Sequence, residues 1–376
     1  MKTRLLLLSL VAPLVIARFA ECHAQQLWMS GYITSWCLNM TGIPGGAGAA
    51  NYGTQPYDKI DLDAMTHLIA FAAGPDSMGN MDVTTEWDGS NTWGGSLLLK
   101  RRKPFNDYVH AHGKAILCCF FSRGGGGDWT KIMGSSARRR TCIRTIIDSI
   151  IVAEHYDGVD FDLEPVGTGD TAATRSFIAE LRDSLNLYHA WYDASKKPLI
   201  TAATYTYPDF WARCAPSMDQ VNIMTYDMFG TWCTRVWHNC PVYAGPDGKD
   251  IYGNMLTSVQ NKTQSWINAG VPRNKVGLGI GMNGHIWKGG LLANGNGITA
   301  PLQQWVTAPT EPSGETVVAP QWKYWREYEA CRNTRRPGEL TELASGGLLG
   351  SVTIGFADPH ELPAVDEGST RLLETP

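Results

Sequence analysis

The chain has 376 residues, a formal net charge of −4 and 43% hydrophobic residues. This length fits either two average domains or one large barrel, and the composition is that of a globular protein with enough apolar residues for a large core. The slightly acidic balance argues against nucleic acid as a partner.

The first 24 residues have the features of a secretory signal peptide. Two basic residues precede an apolar run over residues 5–16, and Ala24 stands at the predicted cleavage site. The apolar run is too short to span a bilayer comfortably, and no later segment has the pattern of a transmembrane helix. We therefore predict an exported protein, extracellular or periplasmic, with no membrane partner. A lipoprotein centred on Cys22 is the weaker alternative, because Glu21 stands where a small residue is expected.

Nine cysteines are present. Removal of Cys22 with the signal segment leaves eight, an even number that is compatible with disulfides in an exported protein. Cys233 and Cys240 are close enough in sequence to close one loop, whereas Cys118 or Cys119 is equally well interpreted as a buried thiol. We predict a disulfide-containing protein without assigning the other pairs.

The stretch 156–165 organises the rest of the sequence. Apolar and acidic residues alternate there: Val159, Phe161 and Leu163 against Asp160, Asp162 and Glu164. A strand places every second side chain on one face, so the three acids share a face. An ordinary half-buried strand would expose that face to water, but helix-like segments on both sides indicate a parallel sheet that is covered on both faces. Carboxylates crowded away from water do not all ionise, so the pattern favours a retained proton.

Strand-like runs recur along the whole chain. They cover residues 28–32, 65–71, 114–121, 158–163, 199–204, 220–226, 275–281 and 350–356. Eight strands that alternate with helices or loops predict a single (β/α)8 TIM barrel over residues 25–376, with its chemistry at the carboxyl ends of the strands. A doubly wound open sheet is the alternative, but no G-x-G-x-x-G follows the first strand. We expect one domain and a monomer.

The acidic strand resembles the D-x-x-D-x-D-x-E motif of glycoside hydrolase family 18, the chitinases and related endo-β-N-acetylglucosaminidases. Asp157, Asp160, Asp162 and Glu164 match its four acids. Asp157 has the opposite parity to the other three acids, so we predict that it and Gly158 serve the structure rather than the chemistry.

A second stretch, residues 221–227, resembles the M-x-Y-D element of the same family. Met224 and Tyr226 have equal parity and face inward together, and Asp227 follows them. Downstream, Trp237 begins a segment that resembles the loop after this element in bacterial-type chitinases. The resemblance implies that Met224, Asp227 and Trp237 bind sugar.

Two further elements match the family unequally. The third strand ends in an S-x-G-G element made by Ser122, Gly124 and Gly125, which we interpret as a structural loop at the barrel rim. The eighth strand lacks the tryptophan that this family usually places under the sugar, and Phe356 is the candidate substitute.

Aromatic side chains suit a linear polysaccharide that stacks on successive rings. Tyr32 and Trp36 close the first strand and are interpreted either as rim packing or as sugar contacts. Five further tryptophans are candidates of the same kind: Trp87, Trp93, Trp211, Trp232 and Trp287.

The resemblance assigns roles to the acidic and aromatic residues. Glu164 protonates the glycosidic oxygen and then activates water, while Asp162 holds the acetamido N–H of the sugar and stabilises an oxazolinium intermediate. Asp160 tunes Asp162, Tyr226 donates to the acetamido carbonyl, and Asp227 contacts the sugar. Because Asp162 and Glu164 approach from the same side, the sugar's own acetamido oxygen is the expected nucleophile, and retention is the expected outcome.

The histidines show no metal-ligand spacing, so neither a metal nor a cofactor is expected, and His67 is interpreted as a core histidine. We predict an exported chitinase acting on chitin or N-acetylglucosamine oligosaccharides. The alternatives are an endo-β-N-acetylglucosaminidase that acts on N-glycans and a chitin-binding lectin with weak or lost catalysis.

Overall fold

The computed structural model describes residues 28–34, 38–39, 55–80, 102–121, 127–164, 168–229, 233, 237–244, 256–281, 291–296, 305–306 and 351–355. Its centre is a closed barrel of eight strands: β1 (Trp28–Thr34), β4 (His67–Ala73), β5 (Ala115–Phe121), β6 (Gly158–Asp162), β7 (Leu199–Thr204), β8 (Gln220–Ile223), β9 (Val276–Gly281) and β10 (Ser351–Gly355). Two short strands, β2 (Leu38–Asn39) and β3 (Gln55–Pro56), form a separate sheet. The predicted (β/α)8 barrel is confirmed.

Helices connect the strands and cover the outside of the barrel. They are α1 (Lys103–Ala111), α2 (Gly127–Met133), α3 (Ser136–Thr145), α4 (Thr171–Leu185), α5 (Pro208–Cys214) and α6 (Val259–Asn268), and α3 continues into the π-helical segment Ile146–Ala153. Within the described ranges, none of the helices is long and apolar enough to cross a membrane.

The eighth barrel strand departs from the expected direction. From β1 through β4 and on to β9 all neighbours are parallel, but β10 pairs antiparallel with both β9 and β1. Ser351 lies opposite Gly281, and Gly355 lies opposite Trp28. The carboxyl end of β10 therefore lies beside the amino ends of the other strands. Phe356, the predicted substitute for the family's tryptophan, lies outside the described residues.

The alternation of side chains sorts the core into two apolar layers. Val159 and Phe161 belong to the large cluster that also contains residues of the surrounding helices. Leu117, Ala203 and Met224 belong to a smaller cluster of interior residues. Residues of the other parity on β6 therefore point into the barrel, as the sequence pattern predicts.

Helix α6 has a well-defined start that bears on the site described below. The Ser258 hydroxyl accepts a hydrogen bond from the Asn261 amide N–H at 3.2 Å, and the Asn261 side chain accepts one from the Ser258 N–H at 2.7 Å. This capping box satisfies amide groups that the first helical turn leaves without partners. It fixes the position of the next residue, Lys262.

Candidate active site

Three neighbouring strands bring polar side chains to one end of the barrel. In the parallel register Asp162 lies opposite Ala203 on β7, and Thr204 lies opposite Ile223 on β8. The segments that follow these strands therefore emerge side by side, with Glu164 directly after β6 and Tyr226 directly after β8. This is the end at which barrel enzymes carry their chemistry.

Asp160 is completely buried and is held by side chains from three other strands. The Tyr32 hydroxyl donates to its Oδ2 at 2.7 Å, the Thr201 hydroxyl donates to its Oδ1, and the Cys119 thiol also hydrogen-bonds to it. Burial raises the pKa of Asp160, and the three donors oppose that rise because they favour the ionised form. Asp160 is therefore a buried, oriented carboxyl group directly beneath the mouth of the barrel.

Asp162 is the next residue on the same face of β6, closer to the carboxyl end of the strand, and it is 8% exposed. Its side chain hydrogen-bonds to that of Glu164. Burial raises its pKa well above the ordinary value, and the charge of Glu164, the hydrogen bond to Glu164 and the charge of Asp160 raise it further. Asp162 thus retains its proton at a pH at which an ordinary carboxyl group has lost its own.

One oxygen of this pair is unused by the protein. Within the described part of the chain, Oδ1 of Asp162 is buried and has no hydrogen-bond partner. A buried acceptor without a partner is costly, so this atom is suited to an N–H supplied by a ligand. Glu164, in contrast, is exposed at the turn that ends the strand. The two carboxyl groups therefore connect the barrel interior to its open mouth.

Tyr226 stands at the end of β8 against a residue without a side chain. A Cβ atom added to Gly279 on β9 would lie 2.8 Å from Cε1 of Tyr226 and 2.8 Å from the carbonyl oxygen of Ile223. The Thr225 hydroxyl donates to the Gly279 carbonyl at 2.6 Å. The glycine therefore allows the tyrosine ring to approach the sheet closely, and the threonine fixes the same point of the backbone.

The other predicted residues of this segment are placed on either side of Tyr226. Met224 is buried among the interior residues, so its side chain lines the inside of the barrel. Asp227 is exposed and has a left-handed φ of 48°, which marks the turn after the strand. The next residue, Met228, donates its amide N–H to the Asn239 carbonyl at 2.9 Å.

That hydrogen bond attaches the loop that carries Trp237. The Trp237 ring is partly buried and packs edge-on against His238 with 4.8 Å between ring centroids. The structure thus links the Trp237 loop to the end of β8. Trp36 lies outside the described residues, as do the predicted structural residues Ser122, Gly124 and Gly125.

Asp157 and Gly158 lie at the opposite end of the barrel. Asp157 is fully buried and accepts hydrogen bonds from the amide N–H groups of Ile116, Trp191 and Tyr192 at 2.7–2.9 Å, and it contacts His110 Nε2 at 2.8 Å. This geometry fits the predicted structural role.

Gly158 permits a close approach between strands. A Cβ atom there would lie 2.2 Å from the Leu199 carbonyl oxygen. His67, at the same end of the barrel, stacks on Trp28 at 3.8 Å, and burial lowers its pKa to about 4. The His67 imidazole is therefore a neutral group at the end of the barrel opposite Asp162 and Glu164.

Two sequence expectations are wrong. Trp211, a candidate sugar platform, is 1% exposed and packs in the core, because the helix α5 that carries it turns this face toward the barrel. Cys233 and Cys240 are both free thiols, as are the other four cysteines of the described chain. The structure therefore shows no disulfide between Cys233 and Cys240.

Sequence reasoning missed Cys119 and Thr201, the partners of Asp160. The polar Thr201, one of two threonines in the otherwise apolar run 199–204, was the available signal, whereas nothing distinguished Cys119 from a core thiol. Among the described residues, no group of three or more His, Cys, Asp or Glu side chains is arranged to hold a metal ion.

A closed barrel with hydrogen-bonded carboxyl groups at the carboxyl ends of its strands has the architecture of a barrel glycosidase. The chain belongs to glycosyl hydrolases family 18, whose model matches residues 30–360.

Individual relatives are distant. The chain is 28% identical over 255 residues to a class V chitinase of Arabidopsis thaliana, covering 64% of this chain and 61% of the relative. It is 26% identical over 169 residues to chitinase 1 of Aphanocladium album, covering 43% of this chain and 39% of the relative. The chain thus spans less than two thirds of the length of these relatives.

Solved structures share the fold over nearly the whole chain. The class V chitinase from Nicotiana tobaccum matches with a TM-score of 0.57 and 20% identity, covering 89% of this chain and 87% of the other. A mutant of that enzyme was solved in complex with NAG4. At this identity the likeness shows the fold alone.

Proposed function

We propose that this protein is a chitinase that hydrolyses β-1,4 bonds between N-acetylglucosamine units of chitin or its oligosaccharides. The observation that carries this proposal is the hydrogen-bonded pair of Asp162 and Glu164 at the open end of the barrel. Membership of glycosyl hydrolases family 18 and the chitinases among the relatives support it. The tobacco chitinase mutant with bound NAG4 supports a linear oligosaccharide as the substrate class.

Glu164 is the proposed acid and base. It is exposed at the mouth, where a glycosidic oxygen can approach, and its side chain is hydrogen-bonded to that of Asp162. Glu164 protonates the leaving oxygen as the bond to C1 breaks, and the resulting carboxylate then removes a proton from the attacking water. General acid catalysis of this kind contributes about 10²–10⁴-fold to the rate.

The nucleophile is proposed to come from the substrate. Residues two apart on a strand have Cα atoms about 7 Å apart and side chains on the same face, so Asp162 cannot attack C1 from the side opposite Glu164. The acetamido oxygen of the sugar attacks instead, a mechanism known for this family, and the product retains its anomeric configuration. Asp162 accepts the acetamido N–H through the unpartnered Oδ1 and stabilises the positive charge of the oxazolinium ion.

Tyr226 is proposed to align this internal nucleophile. Its hydroxyl donates to the acetamido carbonyl oxygen, and Gly279 gives the ring room to stand close to β9. Asp160, held by Tyr32 and Thr201, contributes a nearby charge that raises the pKa of Asp162. The proposed catalytic residues therefore stand on β6 and at the end of β8, and residues of β1, β7 and β9 hold them in place.

The test is hydrolysis of a chitin tetramer by the mature protein, with the product anomers read by NMR. We expect cleavage with retention, and Glu164→Gln should lower turnover by at least about a hundredfold while tetramer binding persists. Inverted product would exclude the acetamido mechanism, and wild-type turnover in the variant would remove Glu164 from the role of acid. Faster cleavage of an N-glycan core than of the tetramer would identify an endo-β-N-acetylglucosaminidase, and binding without cleavage would identify a lectin.

We also propose that the protein is exported after cleavage behind Ala24 and acts as a monomer. The basic start and the apolar run over residues 5–16 support export. Mass spectrometry of the secreted form should give an amino terminus at Gln25, and light scattering should give the mass of a single chain. Retention of the leader in the active protein would contradict the export proposal.

A further inference from the structure

The end of β7 places an aromatic side chain beside the acid. Asp162 lies opposite Ala203 in the parallel register, and Glu164 and Tyr205 each follow two residues later, just beyond the ends of the two strands. The two side chains are electrostatically coupled: burial raises the pKa of Tyr205, and the charge of Glu164 raises it further. Tyr205 is nevertheless 40% exposed, so a large part of its surface faces solvent at the mouth of the barrel.

A lysine from the next helix lies over the Tyr205 ring. Nζ of Lys262 on α6 is 5.9 Å from the ring centroid, within the range of a cation–π contact. The same Nζ donates to the Met224 carbonyl oxygen at 2.9 Å. Lys262 therefore connects the end of β8 to the side chain at the end of β7.

The partial burial of Lys262 removes its charged group from water, which costs free energy. The ion pairs of the described residues do not include it, and burial lowers its pKa to about 8. A partly buried cation disfavours the folded state unless other contacts compensate for the desolvation of its charge. Its contacts with the Met224 carbonyl and the Tyr205 ring are the compensation that the structure provides.

We propose that Tyr205 is a sugar-contacting residue of this site and that Lys262 is the residue that positions it. The proposal rests on the proposed function, since the ligand is an N-acetylglucosamine ring next to the glycosidic oxygen that Glu164 protonates. The flat ring of Tyr205 packs against the apolar C–H face of that sugar. Lys262 holds the ring from the side of α6 and acts through Tyr205, without contacting the sugar.

The chain offers a matched control for Lys262. Nζ of Lys275 also donates to backbone carbonyl oxygens, those of Ala215 and Met218, at 2.8 Å and 2.7 Å. Burial lowers its pKa as well. Lys275 precedes β9 at the other end of the barrel, so it reproduces the structural contacts of Lys262 without the neighbouring aromatic residue.

The experiment measures tetramer affinity by calorimetry in the Glu164→Gln background, and KM and kcat in the otherwise unchanged protein. Tyr205→Ala should weaken binding and raise KM by about three- to tenfold, the range of a lost aromatic contact, with a smaller change in kcat. Lys262→Met should change affinity in the same direction, and the double variant should bind no more weakly than Tyr205→Ala alone. Lys275→Met should leave affinity and KM unchanged.

Each part of the proposal can be overturned separately. Wild-type affinity in Tyr205→Ala would remove Tyr205 from the sugar site. Additive losses in the double variant, or an equal loss of affinity in Lys275→Met, would show that Lys262 does not act through Tyr205. If the parent protein binds the tetramer without cleaving it, the proposed hydrolysis fails, whereas the affinity series still decides the roles of Tyr205 and Lys262.

Discussion

The side chain of Asp162 hydrogen-bonds to that of Glu164, two residues further along the chain, where β6 leaves the barrel. One carboxyl group is buried and the other is exposed. The proton of Asp162 is therefore held in the protein interior, one hydrogen bond away from a carboxyl group that reaches the surface.

This relationship predicts the alkaline limit of activity. Burial and the charges of Glu164 and Asp160 disfavour the ionised form of Asp162, so the pKa of Asp162 is raised. Activity that needs the proton is present below that pKa and is lost as the pH rises through it. Asp160→Asn removes one of the raising charges, so the alkaline limb of kcat/KM should move to lower pH.

The pH profile of tetramer hydrolysis measures this shift. Asp193→Asn provides the control, because Asp193 is partly exposed and lies in the loop before β7, at the other end of the barrel. An unchanged alkaline limb in Asp160→Asn, or an equal shift in Asp193→Asn, would contradict the electrostatic coupling.

Gly279→Ala should displace Tyr226 and lower kcat/KM. The added methyl group would stand 2.8 Å from the tyrosine ring and 2.8 Å from the Ile223 carbonyl oxygen, so ring or backbone must move. A 1 Å displacement of a positioning group costs on the order of 10²-fold in rate. The measurement is kcat/KM on the tetramer, together with the midpoint of thermal unfolding.

The control for this variant is Gly169→Ala, where an added Cβ meets nothing within 4 Å. It should leave the unfolding midpoint and kcat/KM close to those of the parent. If Tyr226 carries the effect of Gly279→Ala, the double variant with Tyr226→Phe should lose less than the product of the two single losses. If the two losses of kcat/KM multiply in the double variant, Gly279→Ala does not act through Tyr226.

Asp157→Ala should destabilise the fold by about 3–5 kcal/mol, because it removes a fully buried carboxylate that accepts from three amide N–H groups, one buried and two partly buried, and contacts His110. The free energy of unfolding in urea measures the loss. Asp193→Ala, at a partly exposed carboxylate that accepts hydrogen bonds from Ser195, should cost no more than about 1.5 kcal/mol. Parent stability combined with lost turnover in Asp157→Ala would instead place Asp157 in the chemistry.

The buried thiols should be inert in the folded protein. Burial raises the pKa of Cys119 well above its usual range and that of Cys214 to about 12, and only the thiolate reacts with labelling reagents. Mass spectrometry after labelling at neutral pH should find both thiols unmodified until guanidinium unfolds the chain. Rapid labelling of Cys119 in the native state would contradict its place inside the barrel.

The side-chain directions that the sequence predicted correctly are those that depend on local periodicity. Asp160 and Asp162 face the barrel interior because a strand has a period of two, and the same rule places Met224 inward. The contact between Tyr32 and Asp160 joins residues 128 positions apart and exists only because the barrel closes. No local pattern encodes such a contact.

The direction of β10 illustrates the same limit. An alternating pattern reads identically from either end, so periodicity predicted a strand at 350–356 without predicting that it runs antiparallel. Trp211 was misplaced for a related reason, since a large aromatic residue near a strand end suits a core and a cleft equally well.

The strand β6 carries Asp157 before its first residue and Glu164 just beyond its last. These residues lie about 20 Å apart along an extended backbone. Asp157 accepts hydrogen bonds from three segments at the amino ends of the strands, whereas Glu164 is exposed to solvent at the other end. The loops around Glu164 can therefore diverge, or be exchanged by an engineer, without disturbing the contacts that keep the molecule folded. Substrate preference and thermal tolerance in this protein should consequently evolve as two independent traits.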